Sequence, residues 1–224
     1  MPLPKIATPT YELELPSTEK KIRYRPFLVK EEKLLVIALE SEDNKQITTA
    51  VKSVIQNCIL TKGVKVEQLP TFDIEFLFLN IRGKSVGEEL EVNLICPDDG
   101  KTQVSVWLDL DDIKVFKPEG HDKCIKLDDT IAMEMKYPSL EQFISNNFDF
   151  TDKNAMDQSF ELIASCIDKV FTEEEVWAAA DCTKKEIKEF VESMPKLSHK
   201  ITIKNPKTKV ESDVILEGLA SFFA

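Results

Sequence analysis

Cys96, His121 and Cys124 are the residues whose types could hold a metal, and His121-Asp122-Lys123-Cys124 has ligand-like spacing. Tetrahedral zinc usually draws two thiolates from each Cys-x-x-Cys knuckle. In Cys96-Pro97-Asp98-Asp99 the second ligand position holds Asp99, and the later turn Asn205-Pro206-Lys207-Thr208 offers only Asn205 and Thr208. Three candidate ligands without any Cys-x-x-Cys argue against a zinc site. The plainer reading of Cys96 is a small apolar filler at a strand end. Asp109, Asp111 and Asp112 cluster, yet no glycine or later glutamate completes a calcium loop, so they read as a cap on the element that begins at Ile113.

Other chemistries fare no better. Gly83-Lys84-Ser85 resembles the tail of a phosphate-cradling loop, but the leading glycine position holds Phe78, inside an apolar stretch. Nucleophilic catalysis needs a base held by a third group. The histidines are His121 and His199, and no Gly-x-Ser-x-Gly elbow accompanies them. With 40 acidic residues in the chain, adjacent pairs such as Glu174 and Glu175 carry no information about acid–base roles. The expectation is a protein that is not an enzyme and carries no cofactor.

The elements that must position these residues are legible from their periods. Tyr11–Leu15 and Ile22–Arg25 alternate apolar and polar residues, which predicts a strand–turn–strand arm. Leu28–Leu39 is rich in helix formers, and Asp43-Asn44 supplies a break and an N-cap candidate. Ile47, Ala50, Val51, Val54, Ile55, Cys58 and Ile59 recur at steps of three and four, predicting an amphipathic helix. Pro70-Thr71 starts a helix to about Ile81 that is apolar nearly all round, hence a central core helix or one that meets a partner. Gly83 and Gly87 are expected to end that unit.

Asn93–Ile113 and Ile201–Phe223 then follow one plan, a strand, a tight turn and a second strand, and Cys124–Leu127 with Ile131–Met135 predicts another hairpin. Pro138-Ser139 is expected to open a short helix. Met156, Phe160, Ile163, Ala164, Ile167, Val170 and Phe171 are expected to share one helical stripe. Thr172–Glu175 and Thr183–Glu186 read as capping boxes. Hairpins flanking helical blocks without a βαβ rhythm give an α+β class, with several β-hairpins flanking and covering a helical core. A division at 1–136 and 137–224, or one continuous domain, fits this order.

Composition bounds the function. The formal net charge of −11 disfavours nucleic acid and favours partners with basic surface. Five scattered cysteines (Cys58, Cys96, Cys124, Cys166 and Cys182) read as free thiols of a reducing cytosol with no disulfide framework. The N-terminus lacks the apolar core of a signal peptide, and the run Leu34–Leu39 is far too short to span a membrane. What remains is interaction chemistry. The candidate anchors are Tyr11, Leu13 and Leu15 of the N-terminal arm, Trp107, Trp177, and the Phe222-Phe223 tail, each with a core-packing alternative.

Several long blocks carry a family resemblance: Thr10–Pro16, Tyr24–Glu32, Phe72–Glu88, Cys96–Thr102, Ile125–Phe143 and Met194–Phe223. In that order they resemble the small baseplate hub protein family of T4-type bacteriophages. The resemblance implies a non-enzymatic part in building the tail-tip hub in the host cytoplasm. Its implied partners are other baseplate hub or tape-measure proteins. Two versions follow: a structural subunit that stays in the virion tail baseplate, or a transient tail-assembly chaperone of the tape-measure or hub components that is absent from the mature virion. A metal-binding module using Cys96, His121 and Cys124 is the rival from another class.

Overall fold

A computed structural model describes residues 8–41, 43–127, 131–139, 163–171, 183–184 and 187–218. The fold is α+β, with several small sheets. Two compact units divide it. The first takes in the described residues of Met1–Val66, Phe72–Val115 and Lys196–Ala224, and the second those of Glu67–Thr71 and Phe116–Pro195.

The first unit opens with the predicted arm. Strands β1 (Tyr11–Glu14) and β2 (Lys21–Tyr24) pair antiparallel, Leu13 opposite Ile22 and Tyr11 opposite Tyr24. The period of two sends Ile22 and Tyr24 inward and Lys21 and Arg23 to solvent. The outer edge of β2 is covered by the chain that follows the second helix. Tyr24 bridges Ile59, Leu60 N–H donates to Arg23 C=O at 2.8 Å, and Arg23 N–H donates to Thr61 Oγ1 at 2.8 Å.

Helix α1 (Val29–Glu40) has no hydroxyl or carboxamide cap. Glu31 substitutes for one by reaching back to the Leu28 N–H at 2.8 Å, which is half of a capping box, and pairs with Arg25 at 3.1 Å. Burial pushes the Glu31 carboxyl up, but the Leu28 N–H and Arg25 outweigh it and hold the group below its ordinary value. Helix α2 (Asn44–Cys58) packs against α1 and buries Val51, Val54, Ile55 and Cys58, the expected stripe.

Helix α3 (Thr71–Val86) is the core helix, with Phe72, Ile74, Leu77, Phe78, Leu79 and Ile81 all buried. Its buried Asp73 carboxylate accepts from the Ser17 N–H and hydroxyl, tying the arm's turn to the helix. The expected stop at Gly83 is corrected. Gly83 is buried inside the helix, where a Cβ would stand 3.2 Å from Leu110 Cδ1, so the residue is small for packing. The helix ends at Gly87, whose φ of +142° an L side chain rarely adopts and whose N–H donates to Gly83 C=O.

Both predicted hairpins form, each with a first strand that begins four or five residues earlier than expected, while residues 219–223 of the second stretch lie outside the described residues. Strands β3 (Glu89–Ile95) and β4 (Gln103–Asp109) pair in register from Glu89–Asp109 to Ile95–Gln103. A 3₁₀ turn at Leu110–Asp112 leads to β5 (Lys114–Phe116), and the Asp109 carboxylate caps that turn through the Asp111 N–H. Near the chain's end, β10 (Lys196–Lys204) pairs with β11 (Glu211–Glu217) and is flanked on its other side by β5. One apolar core collects Leu79 from α3, Leu90, Val92, Leu94 and Leu108 from the first hairpin, and Leu197, Ile203 and Leu216 from the second.

The second unit holds a four-stranded sheet in the order β8-β7-β6-β9. Strands β6 (Cys124–Lys126) and β7 (Ala132–Met135) form the predicted hairpin. Strand β8 (Ile167–Phe171) corrects the expected helical stripe: residues 163–165 are helical, but Ile167–Phe171 pairs antiparallel with β7. Strand β9 (Thr183–Lys184) lies parallel to β6, so Thr183 does not cap a helix there. Helix α4 (Ile187–Glu192) buries Phe190 with Ile125, Met133, Met135 and Cys166. The stretch from Leu140 to Ile144 and the Thr172–Glu175 box lie outside the described residues.

Candidate functional site

The paired hairpins of the first unit meet at their tips, and the two turns share one backbone geometry. In both, the residue before the proline accepts from the N–H four positions on: Gly100 to Cys96 C=O at 2.9 Å, and Lys209 to Asn205 C=O at 2.8 Å. The fifth residue is left-handed in each, with φ +64° at Gly100 and +63° at Lys209. Each turn is braced by one side-chain acceptor. Asp99 Oδ1 accepts from the Lys101 and Thr102 N–H groups at 3.0 and 2.9 Å, and Asn205 Oδ1 from Lys207 and Thr208 at 2.9 and 3.3 Å.

One carboxylate then joins the turns. Asp98 accepts from Asn205 Nδ2 at 2.9 and 3.0 Å and from the Thr208 hydroxyl. These two contacts, the amide first, hold the Asp98 carboxyl below its ordinary value. The Thr102 hydroxyl, followed by the Thr102 and Lys101 N–H groups, holds Asp99 well below its own. Of the positions that a zinc knuckle would fill with thiolates, Asp99 braces its own turn, and Asn205 and Thr208 are engaged in this latch. Cys96 is buried beneath it, and burial, reinforced by Asp98 and Asp99, pushes its thiol up.

The other metal candidates sit in the second unit. His121 is bonded through both ring nitrogens, to Ser193 Oγ and Tyr137 Oη at 2.9 Å each, and stacks on Tyr137 and Phe190. Cys124 is disulfide-bonded, which corrects the expectation of free thiols throughout, since distance along the chain says nothing about proximity in space. Cys58, Cys96 and Cys166 are free and buried. Among the described residues, no group of three His, Cys, Asp or Glu side chains could hold a metal ion.

The outward faces of the hairpins differ. On β10–β11 each acid meets a cation: Lys204–Glu211 at 3.0 Å, Lys200–Asp213 at 2.6 Å and Lys196–Glu217 at 3.7 Å. On β3–β4, Glu89 stands opposite Asp109 and Glu91 opposite Trp107, whose residue surface is 64% exposed. None of these three acids is ion-paired among the described residues, although Asp109 also serves as the cap described above.

Helix α1 presents a second kind of surface. Val29 is 80% exposed and Val36 and Ile37, about two turns on along the same side, are about half exposed, apolar side chains with no cover among the described residues; Leu34, on another side of the helix, is also about half exposed. Sequence reasoning read a helix here and missed the face. The signal was available in Leu34-Leu35-Val36-Ile37-Ala38-Leu39, which turns apolar side chains to every side of a helix.

Of the expected anchors, Tyr11 and Leu13 are half-buried and Leu15 is buried. Tyr11 lies 5.8 Å from the Tyr24 ring, with the Lys84 ammonium over its face. Trp107 is on the solvent face. Trp177, Phe222 and Phe223 lie outside the described residues.

What the two turns assemble is a hydrogen-bonded scaffold. Residues 8–224 match the family described as T4 bacteriophage base plate protein, and the chain belongs to that family. It is a phage-tail baseplate protein, of a structural family not known as enzymatic. Neither the curated proteins nor the solved structures gave a match. Among the described residues, no helix is long and apolar enough to cross a membrane.

Proposed function

We propose that this chain is a hub subunit of the baseplate, acting in tail assembly through contacts with neighbouring hub or tape-measure proteins and remaining in the finished tail. The exposed apolar face of α1 carries this reading. Val29, Val36 and Ile37 share one side of α1 and are exposed in the free chain, and an apolar patch of this kind is stabilised when a partner covers it. Membership of the baseplate family supplies the setting in which such a partner is found.

Two measurements test it. Mass spectrometry of purified tails should find the chain at fixed stoichiometry; its absence from finished tails, with presence in assembly intermediates, would make it a transient chaperone. Val36→Lys and Ile37→Lys should leave the melting curve within about 0.5 kcal/mol of the parent, as expected for exposed positions, and should block incorporation. Normal incorporation of both variants would move the contact away from α1.

A further inference from the structure

The outward face of the β3–β4 hairpin has a composition that its own fold does not explain. Directly opposed residues in an antiparallel pair hold their Cβ atoms about 5 Å apart, and like charges so placed are destabilising. Glu89 and Asp109 are such a pair, and the next outward-facing pair toward the turn is Glu91 and Trp107. An exposed indole is therefore set among three carboxylates, none of them ion-paired among the described residues.

The β10–β11 hairpin shows the same architecture with its outward acids paired. There Glu211, Asp213 and Glu217 each have a lysine from the opposing strand. The neighbouring Glu88, just before β3, has Lys84. Glu89, Glu91 and Asp109, around Trp107, have no such cation among the described residues.

We propose that this face docks an arginine-bearing segment of a neighbouring baseplate protein, the guanidinium lying on the Trp107 indole and bonding to the carboxylates of Glu91 and Glu89. Planar guanidinium stacks on an aromatic face and presents paired donors to a carboxylate, while an ammonium is a strongly hydrated point charge without that fork. The geometry calls for both properties, because the acids flank the ring. Nucleic acid is disfavoured by the same carboxylates, and a purely apolar partner would leave them desolvated and unpaired. The inference rests on the reading of this chain as a baseplate contact protein and names the partner chemistry of a second surface.

Intrinsic fluorescence tests it on the full chain. A Trp177→Phe background leaves Trp107 as the sole indole. The probe is a tetra-arginine amide, compared with tetra-lysine and a neutral glycine–serine peptide. Saturable change in Trp107 emission is expected with tetra-arginine. Weaker binding is expected with tetra-lysine and at high salt, and none with the neutral peptide. Glu89→Gln with Glu91→Gln should weaken arginine binding about tenfold, in the range seen when one side of a charge contact is removed. The same double variant should melt no lower than its parent, because Glu89 no longer opposes Asp109.

Glu211→Gln with Asp213→Asn, on the other hairpin, should leave the affinity within about twofold, as expected for charges away from the contact. A flat titration would overturn the proposal. So would equal binding of tetra-lysine, an unchanged affinity in the Glu89/Glu91 variant, or an equal loss in the Glu211/Asp213 variant. A flat titration alongside failed incorporation of the α1 variants would sink this inference and leave the hub reading standing.

Discussion

Lys209 holds a side chain in the left-handed conformation that its counterpart in the other turn reaches with Gly100. That conformation costs an L residue about 1–2 kcal/mol, and glycine gives back part of the gain as chain entropy. Lys209→Gly should therefore stabilise the fold by about 0.5–1 kcal/mol, while Gly100→Ala should cost about 1 kcal/mol or more. Denaturant midpoints read both, and a loss on Lys209→Gly would contradict the equivalence of the turns. The carboxylates beside them set a pH limit. Asp98 and Asp99 titrate below their ordinary value of 3.8 because the folded chain hydrogen-bonds their ionised forms. Their contribution is complete above that value and is lost as pH falls through the lower folded ones. Amide signals of Lys101, Thr102 and Thr208 should stay constant from pH 7 to about 4 and shift only below it. Movement centred near pH 6 would assign the latch to another group.

At the scale of elements, Gly83 separates two readings that sequence alone confuses. A glycine near a helix end reads as a stop, yet here it continues the helix and lets Leu110 approach the last turn of α3. Gly83→Leu should cost about 1–3 kcal/mol by overpacking, seen as a lower denaturant midpoint; an unchanged midpoint would mean the contact is loose. The hairpins were legible because both their alternation and their turn residues are local. So was α2, whose stripe is unbroken. Ile167–Phe171 was not: Ile163, Ile167 and Val170 fit helical steps, and only pairing with β7, some thirty residues away, makes a strand of the latter half. Thr183 was misread in the same way, its box outweighed by pairing with β6. For the candidate surfaces, parity along β4 shows that Trp107 shares a face with Ser105 and Asp109. Whether that face is covered depends on the rest of the fold, which no local pattern encodes.

Across the whole molecule, the first unit is assembled from separated lengths of chain, with most of the second between them. Leu197, Ile203 and Leu216 close a core whose other members lie before residue 116. A chain cut after Pro195 should lack cooperative unfolding in its first unit and bind an apolar dye such as ANS. A cooperative melt with no dye binding would show that β10 and β11 are dispensable. The same discontinuity fixes a timetable on the ribosome. The β3–β4 hairpin emerges with α3 already made but without Leu197, Ile203 and Leu216, and waits for them while the intervening unit is translated. For that interval the first unit lacks the strands that complete its core, and its apolar surface is covered only when the final strands arrive.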